Sequence, residues 1–183
     1  LHLVHQAGFI HRDLKPDNLF FHRDDRGDRL IVLDLGIAKL APARQGARAP
    51  YHTETGRVLG TPAYMSPEQA SGLPVDHRTD IYSIGVTLHR MLAGRLPFEP
   101  KPGDQPFQLM TRNLYDDPPR LDEQALQLPP SLADQVLMML AKAPAQRPRS
   151  MRVLAEQLAD IKASGEAPRP SNHAGRVPRV GRV

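Results

Sequence analysis

Two short apolar runs, Leu19-Phe20-Phe21 and Leu30-Ile31-Val32-Leu33, are separated by His22-Arg23-Asp24-Asp25-Arg26-Gly27-Asp28, a stretch rich in turn formers. Strand-length apolar runs joined in this way read as a β-hairpin. The hairpin has a chemical consequence. It folds Asp34, just after the second run, back beside Asn18, just before the first.

Around the hairpin the pattern is helical. Residues 1–10 read as the end of a helix with Gly8 as its stop, and His11 to Asn18 as a polar loop. Residues 37–66 are small, polar and rich in Pro and Gly, with little periodicity. A stretch of that kind inside a compact domain is usually functional or disordered. Ile81, Ile84, Gly85, Leu88, Met91 and Leu92 follow helical spacing up to a stop at Gly94. A Pro-rich irregular region spans 97–130, with a short helix near 104–114. Ser131 with Asp134 resembles a capping box ahead of the stripe Leu132, Val136, Met139, Leu140. Ser150 opens a last helix that places Met151, Leu154, Leu158 and Ile161 on one face. Met138, Met139 and Met151 lie on helical stripes and are expected in the core. The reading is a mainly α domain over 1–163, a helical bundle with a short β-hairpin at the site, and a disordered basic tail over 164–183.

Composition removes several classes of function. There is no Cys, so disulfides and thiolate metal sites are excluded, and the eight His lack paired zinc-site spacing. No apolar run approaches the roughly 18 residues of a membrane span. The net charge of +4 reads as a mildly basic surface plus the tail. No basic helix with interleaved aromatics points to nucleic acid. The first residues lack the features of a signal peptide, and the missing initiator Met suggests a chain that starts within a longer protein.

The chemistry is concentrated in His11-Arg12-Asp13-Leu14-Lys15-Pro16-Asp17-Asn18. Asp13 can accept a hydrogen bond from a hydroxyl and orient it. Lys15 can neutralise a phosphoryl oxygen. Asn18 offers a neutral oxygen to a hard cation such as Mg²⁺, and Asp34 adds a carboxylate from the adjacent strand end. An aligned nucleophile, charge neutralisation and a metal ligand are what phosphoryl transfer requires.

In this order the residues resemble the eukaryotic-type protein kinase family. Its signature is H-R-D-L-x-x-x-N, then D-F-G, then A-P-E. The chain has His11-Arg12-Asp13-Leu14 with Asn18 in register, then Asp34-Leu35-Gly36, then Ser66-Pro67-Glu68. Leu35 replaces Phe and Ser66 replaces Ala. Lys15, two residues after Asp13, is the serine/threonine pattern of the family, and Gly60-Thr61-Pro62-Ala63-Tyr64-Met65-Ser66-Pro67-Glu68 has the form typical of bacterial members.

The resemblance implies a protein-kinase-like C-terminal lobe using ATP and Mg²⁺. In it Asp13 is the catalytic base, Lys15 contacts the transferred phosphate, and Asn18 and Asp34 hold the metal. Thr61 lies near Asp13 and Lys15 and favours Ser/Thr acceptors in protein substrates. Thr53 and Thr55 match a paired autophosphorylation site, whose phosphate could pair with Arg12. Glu68 and Arg147 match a buried ion pair, Asp80 an acceptor for the catalytic-loop backbone, and His11 a packing residue of that loop. The family also grips ATP with a Gly-rich loop, a strand Lys and a helix Glu, none of which occurs in these 183 residues. The resemblance, over 1 to about 162, therefore covers only the C-lobe. It implies that the missing N-terminal lobe is the chain's partner, that an apolar lobe–lobe face is left bare, and that the chain alone is inactive and poorly soluble. The implied location is the cytoplasm, or the cytoplasmic part of a membrane-anchored kinase. The competing reading is a non-catalytic kinase-like interaction module.

Overall fold

The structure, a computed structural model, describes residues 1–25, 27–34, 62–121 and 127–166. Helix α1 (His2–Gln6) leads through Gly8, at φ 81°, into the loop 11–15. One 3-10 turn (Pro16–Asn18) then enters the antiparallel hairpin of β1 (Leu19–Asp24) and β2 (Gly27–Val32). The register pairs Leu19 with Val32 and Asp24 with Gly27. Beyond the strands, the Leu33 amide donates to the Asn18 carbonyl at 2.9 Å, so the ladder closes on the residue before Asp34.

The second half is helical: a 3-10 turn (Pro62–Tyr64), α2 (Pro67–Ala70), α3 (Arg78–Ala93), α4 (Pro106–Tyr115), α5 (Pro130–Met139), a 3-10 turn (Pro144–Gln146) and α6 (Met151–Ser164). The expected elements are present. Gly94 ends α3 in the left-handed region, at φ 73°, with its amide on the Arg90 carbonyl. Ser150 caps α6 by accepting from the Val153 amide. Among the described residues no helix is long and apolar enough to cross a membrane.

Helix α3 is the axis of the fold. Tyr82 and Val86 pack with Tyr64, Phe98, Leu109, Leu121, Val136 and Leu140, while Ile81 packs with Met139, Met151 and Leu154. A helix with core on two sides is buried nearly all round. Its polar residues Thr79, Asp80, Ser83, Thr87 and His89 are buried with it, and each makes a hydrogen bond. Three of the five hold neighbouring segments directly: Thr79 donates to Glu68, Asp80 accepts from the 11–12 backbone, and Ser83 donates to the Tyr64 carbonyl.

Gly85 is where α3 meets α5 most closely. A Cβ there lies 2.9 Å from the Met139 Cβ and 3.3 Å from a Leu140 methyl. The Met139 Cβ is fixed by backbone and cannot swing aside. Gly85→Ala is expected to lower stability by about 1–3 kcal/mol through overpacking, which outweighs the roughly 1 kcal/mol helix-propensity gain. Urea denaturation midpoints check this; a stabilised variant contradicts the close approach.

Two details differ from the sequence reading. Helix α5 begins at Pro130, so Ser131 lies inside it and forms no capping box with Asp134. Proline's fixed φ suits the first helical position and sets the start there. Ser131 instead donates to Glu166, and Asp134 pairs with Arg120 at 3.0 Å. Met91 and Met138 are exposed at 71% and 42%, because the buried face of α3 runs through Tyr82 and Val86 and that of α5 through Val136 and Met139. The hairpin's apolar residues lie outside the core: Phe20, Phe21 and Leu30 are all more than half exposed.

Candidate active site

The loop 11–18 is held mainly by buried groups of other elements. Leu14 is fully buried and pins its middle. Asp80, with no exposed surface, accepts from the His11 amide at 2.9 Å, the Arg12 amide at 2.8 Å and the His5 Nε2 at 2.8 Å. Asp80 is therefore a clamp on the loop and not the cap of α3, whose first flanking residue is His77.

The buried His11 ring splices the loop to the hairpin. Its Nε2 lies 3.0 Å from the Leu33 carbonyl, which can only accept, so Nε2 carries the proton. Its Nδ1 is then free to accept from the Asp13 amide at 3.3 Å. Leu33 is thus bonded to Asn18 through its N–H and to His11 through its carbonyl. Asp34 follows as an exposed residue at φ 51°, in the left-handed region that asparagine and aspartate tolerate better than most.

Asp13, Lys15 and Asn18 come together as the sequence suggests. The Lys15 ammonium lies 3.6 Å from Asp13 Oδ2. The Asn18 amide donates to the Asp13 carbonyl at 2.8 Å and lies 3.5 Å from its Oδ2. Because that carbonyl can only accept, the Asn18 nitrogen faces it and the amide oxygen is left for a cation. A neutral oxygen beside the Asp34 strand end is a donor set that fits a hard cation such as Mg²⁺ when phosphate oxygens complete its shell.

The segment 62–70 stands against this loop. Asn113 of α4, fully buried, donates to the Pro62 and Met65 carbonyls at 2.8 and 3.3 Å. Ser66 and Gln69 form a capping box at the start of α2. Glu68 and Arg147 form a bidentate pair at 2.7 and 2.8 Å, both buried, and Thr79 donates to the same carboxylate. Burial pushes the Glu68 carboxyl up, but the Arg147 guanidinium more than offsets it and holds the group below its ordinary value. Thr53, Thr55, Thr61, Leu35 and Gly36 lie outside the described residues, as does the tail from residue 167.

A family model for the protein kinase domain matches residues 1–159. The chain belongs to the protein kinase domain family. Its relatives include serine/threonine-protein kinase pkn3 of Myxococcus xanthus, 38% identical over 181 residues, covering 95% of this chain and 32% of that protein. Another is serine/threonine-protein kinase PknA of Mycobacterium tuberculosis, 35% identical over 171 residues, covering 93% of this chain and 36% of that protein. The chain thus spans about a third of the length of these relatives. The crystal structure of a mutant PknI kinase domain from Mycobacterium tuberculosis matches with a TM-score of 0.57 at 25% identity, over 86% of this chain and 48% of that one.

For this kinase domain the sequence signature marks the loop and strand ends, but not all the groups that hold them. His5, Ser83, Asn113 and Gln69 have no place in the motif. The Ser66-x-x-Gln69 spacing signals a cap, yet only the tertiary structure puts the other edge of Gln69 on the Arg12 carbonyl.

Proposed function

We propose that the chain is the catalytic and substrate-binding half of a bacterial protein serine/threonine kinase, which transfers the γ-phosphoryl group of ATP to Ser or Thr hydroxyls of proteins. The observation that carries this reading is the contact of Asp13 with both Lys15 and Asn18, spliced through His11 and Leu33 to Asp34.

Asp13 accepts a hydrogen bond from the substrate hydroxyl and turns its oxygen toward phosphorus. As the new O–P bond forms, the bond to the ADP oxygen breaks and the hydroxyl proton passes to the Asp13 carboxylate. Lys15, beside Asp13, offsets the charge on the transferred oxygens. Asn18 and Asp34 would hold Mg²⁺, which would neutralise charge on the nucleotide phosphates. The anchored segment 62–70 forms the floor on which the substrate chain lies.

The same reading gives the hairpin surface a role. Phe20, Phe21 and Leu30 lie bare next to Asn18, where an ATP-gripping lobe closes over the nucleotide. On this reading the 183 residues, which contain no Gly-rich loop or strand lysine, are expected to transfer no phosphate by themselves.

The test is Mg·ATP-dependent phosphorylation by the full-length protein. Asp34→Asn is expected to raise the Mg²⁺ needed for half-maximal rate by about 10–100-fold or more, a range already reached when groups one layer outside a metal's ligands are lost. An unchanged Mg²⁺ requirement removes Asp34 from the metal site.

A further inference from the structure

Arg12 stands in the left-handed region at φ 64°. For a residue with a Cβ this conformation costs on the order of 1–2 kcal/mol, so its surroundings must impose it. Asp80 fixes the incoming side, through the Arg12 amide at 2.8 Å. The outgoing side is the peptide that joins Arg12 to Asp13. Its N–H end rests on His11 Nδ1 at 3.3 Å, and its carbonyl end accepts from Gln69 Nε2 at 3.0 Å.

We propose that Gln69 is a positioning residue for the catalytic loop, setting the orientation of Asp13 by holding the Arg12 carbonyl. This rests on the reading of Asp13 as the base.

The side chain is suited to the task. Gln69 is 1% exposed, so each edge of its amide needs a partner. The Ser66 amide can only donate, and it sits 3.2 Å from Oε1. The Arg12 carbonyl can only accept, and it sits on Nε2. Both edges are thereby assigned with no choice of flip. Gln69 also follows Glu68, whose carboxylate is bound to Arg147. The substrate-facing segment and the Asp13 peptide are thus one hydrogen-bonded unit, and docking of that segment helps set the aim of the base.

Gln69→Glu isolates the tether. A glutamate keeps the oxygen that accepts from Ser66 but has no N–H for Arg12. Gln69→Met, neutral and similar in size, is the second variant in case a buried carboxylate prevents folding. Each is made in the full-length kinase and read in two ways: backbone amide exchange over residues 11–14, and kcat and KM for peptide phosphorylation. The expected result is about tenfold faster exchange at Asp13 and about tenfold lower kcat, the scale of one lost hydrogen bond, with KM for ATP unchanged. Gly85→Ala, which loosens α3 against α5, serves as the control for general destabilisation: its melting temperature falls while exchange at 11–14 and kcat hold. A folded Gln69 variant with wild-type exchange overturns the tether. Faster exchange with wild-type kcat overturns the positioning of Asp13. Faster exchange in a protein whose wild type transfers no phosphate upholds the tether and overturns the phosphotransferase reading instead.

Discussion

Arg147→Ala is expected to destabilise the domain by about 3–5 kcal/mol, the range for removing one member of a buried ion pair. For a domain of this size that is a fall in melting temperature of about 6–20 °C. The guanidinium is buried, and every nitrogen is engaged. Nε donates to the Ala141 carbonyl at 2.8 Å, one Nη to Glu68 and the Arg78 carbonyl, and the other to Glu68 and the Lys142 carbonyl. Alanine leaves three carbonyls and a buried carboxylate without these donors. Thr79 still donates to Glu68, but one neutral hydroxyl cannot balance a carboxylate's charge. Arg147→Lys should recover little, because an ammonium cannot reproduce the planar fork.

Acid titration gives an independent check on the pair. The folded-state pKa of Glu68 lies below its ordinary 4.5. Its contribution to stability is therefore fully present above about pH 4.5 and is lost as the pH falls through the lower, folded-state value. Arg147→Ala should remove this part of the acid dependence along with the stability. A variant with the wild-type melting temperature and acid profile means that the pair does not hold the segment in solution.

The contrast between Glu68–Arg147 and Gln69–Arg12 shows what the sequence makes legible. Glu68 and Arg147 are legible as a pair because both fall in strings that resemble the family's, although 79 positions separate them. Gln69 sits next to Glu68, yet its long-range bond could not be read, since a neutral amide has many possible partners and only packing selects one. Helix α3 repeats the lesson. Its apolar spacing predicts the helix and its Gly94 stop, but a helix buried on most of its circumference has no single stripe, so spacing alone does not mark Thr79 and Ser83 as anchors or Met91 as an exposed position. The Ser131–Asp134 pattern fails as a cap for a local reason: Pro130 sets the start of α5.

Asp13→Asn is expected to lower kcat by about 10²–10⁴-fold, the usual contribution of a positioned general base, with little change in melting temperature or in KM for ATP. The substitution keeps the shape of the side chain. The loop's main supports, Leu14 in the core, Asp80 on the 11–12 amides and the Asn18 bond to the residue 13 carbonyl, involve the backbone or other side chains and survive it. What disappears is the carboxylate charge. An amide oxygen can still orient a hydroxyl, but it is too weak a base to take the proton as the O–P bond forms, and Lys15, 3.6 Å away, loses its counter-charge. A fall confined to kcat is therefore the signature of lost chemistry. If kcat falls only together with the melting temperature, Asp13 is a structural residue of the loop. If the folded variant turns over at the wild-type rate, Asp13 is not the base, and the convergence of Asp13, Lys15 and Asn18 must serve something other than phosphoryl transfer.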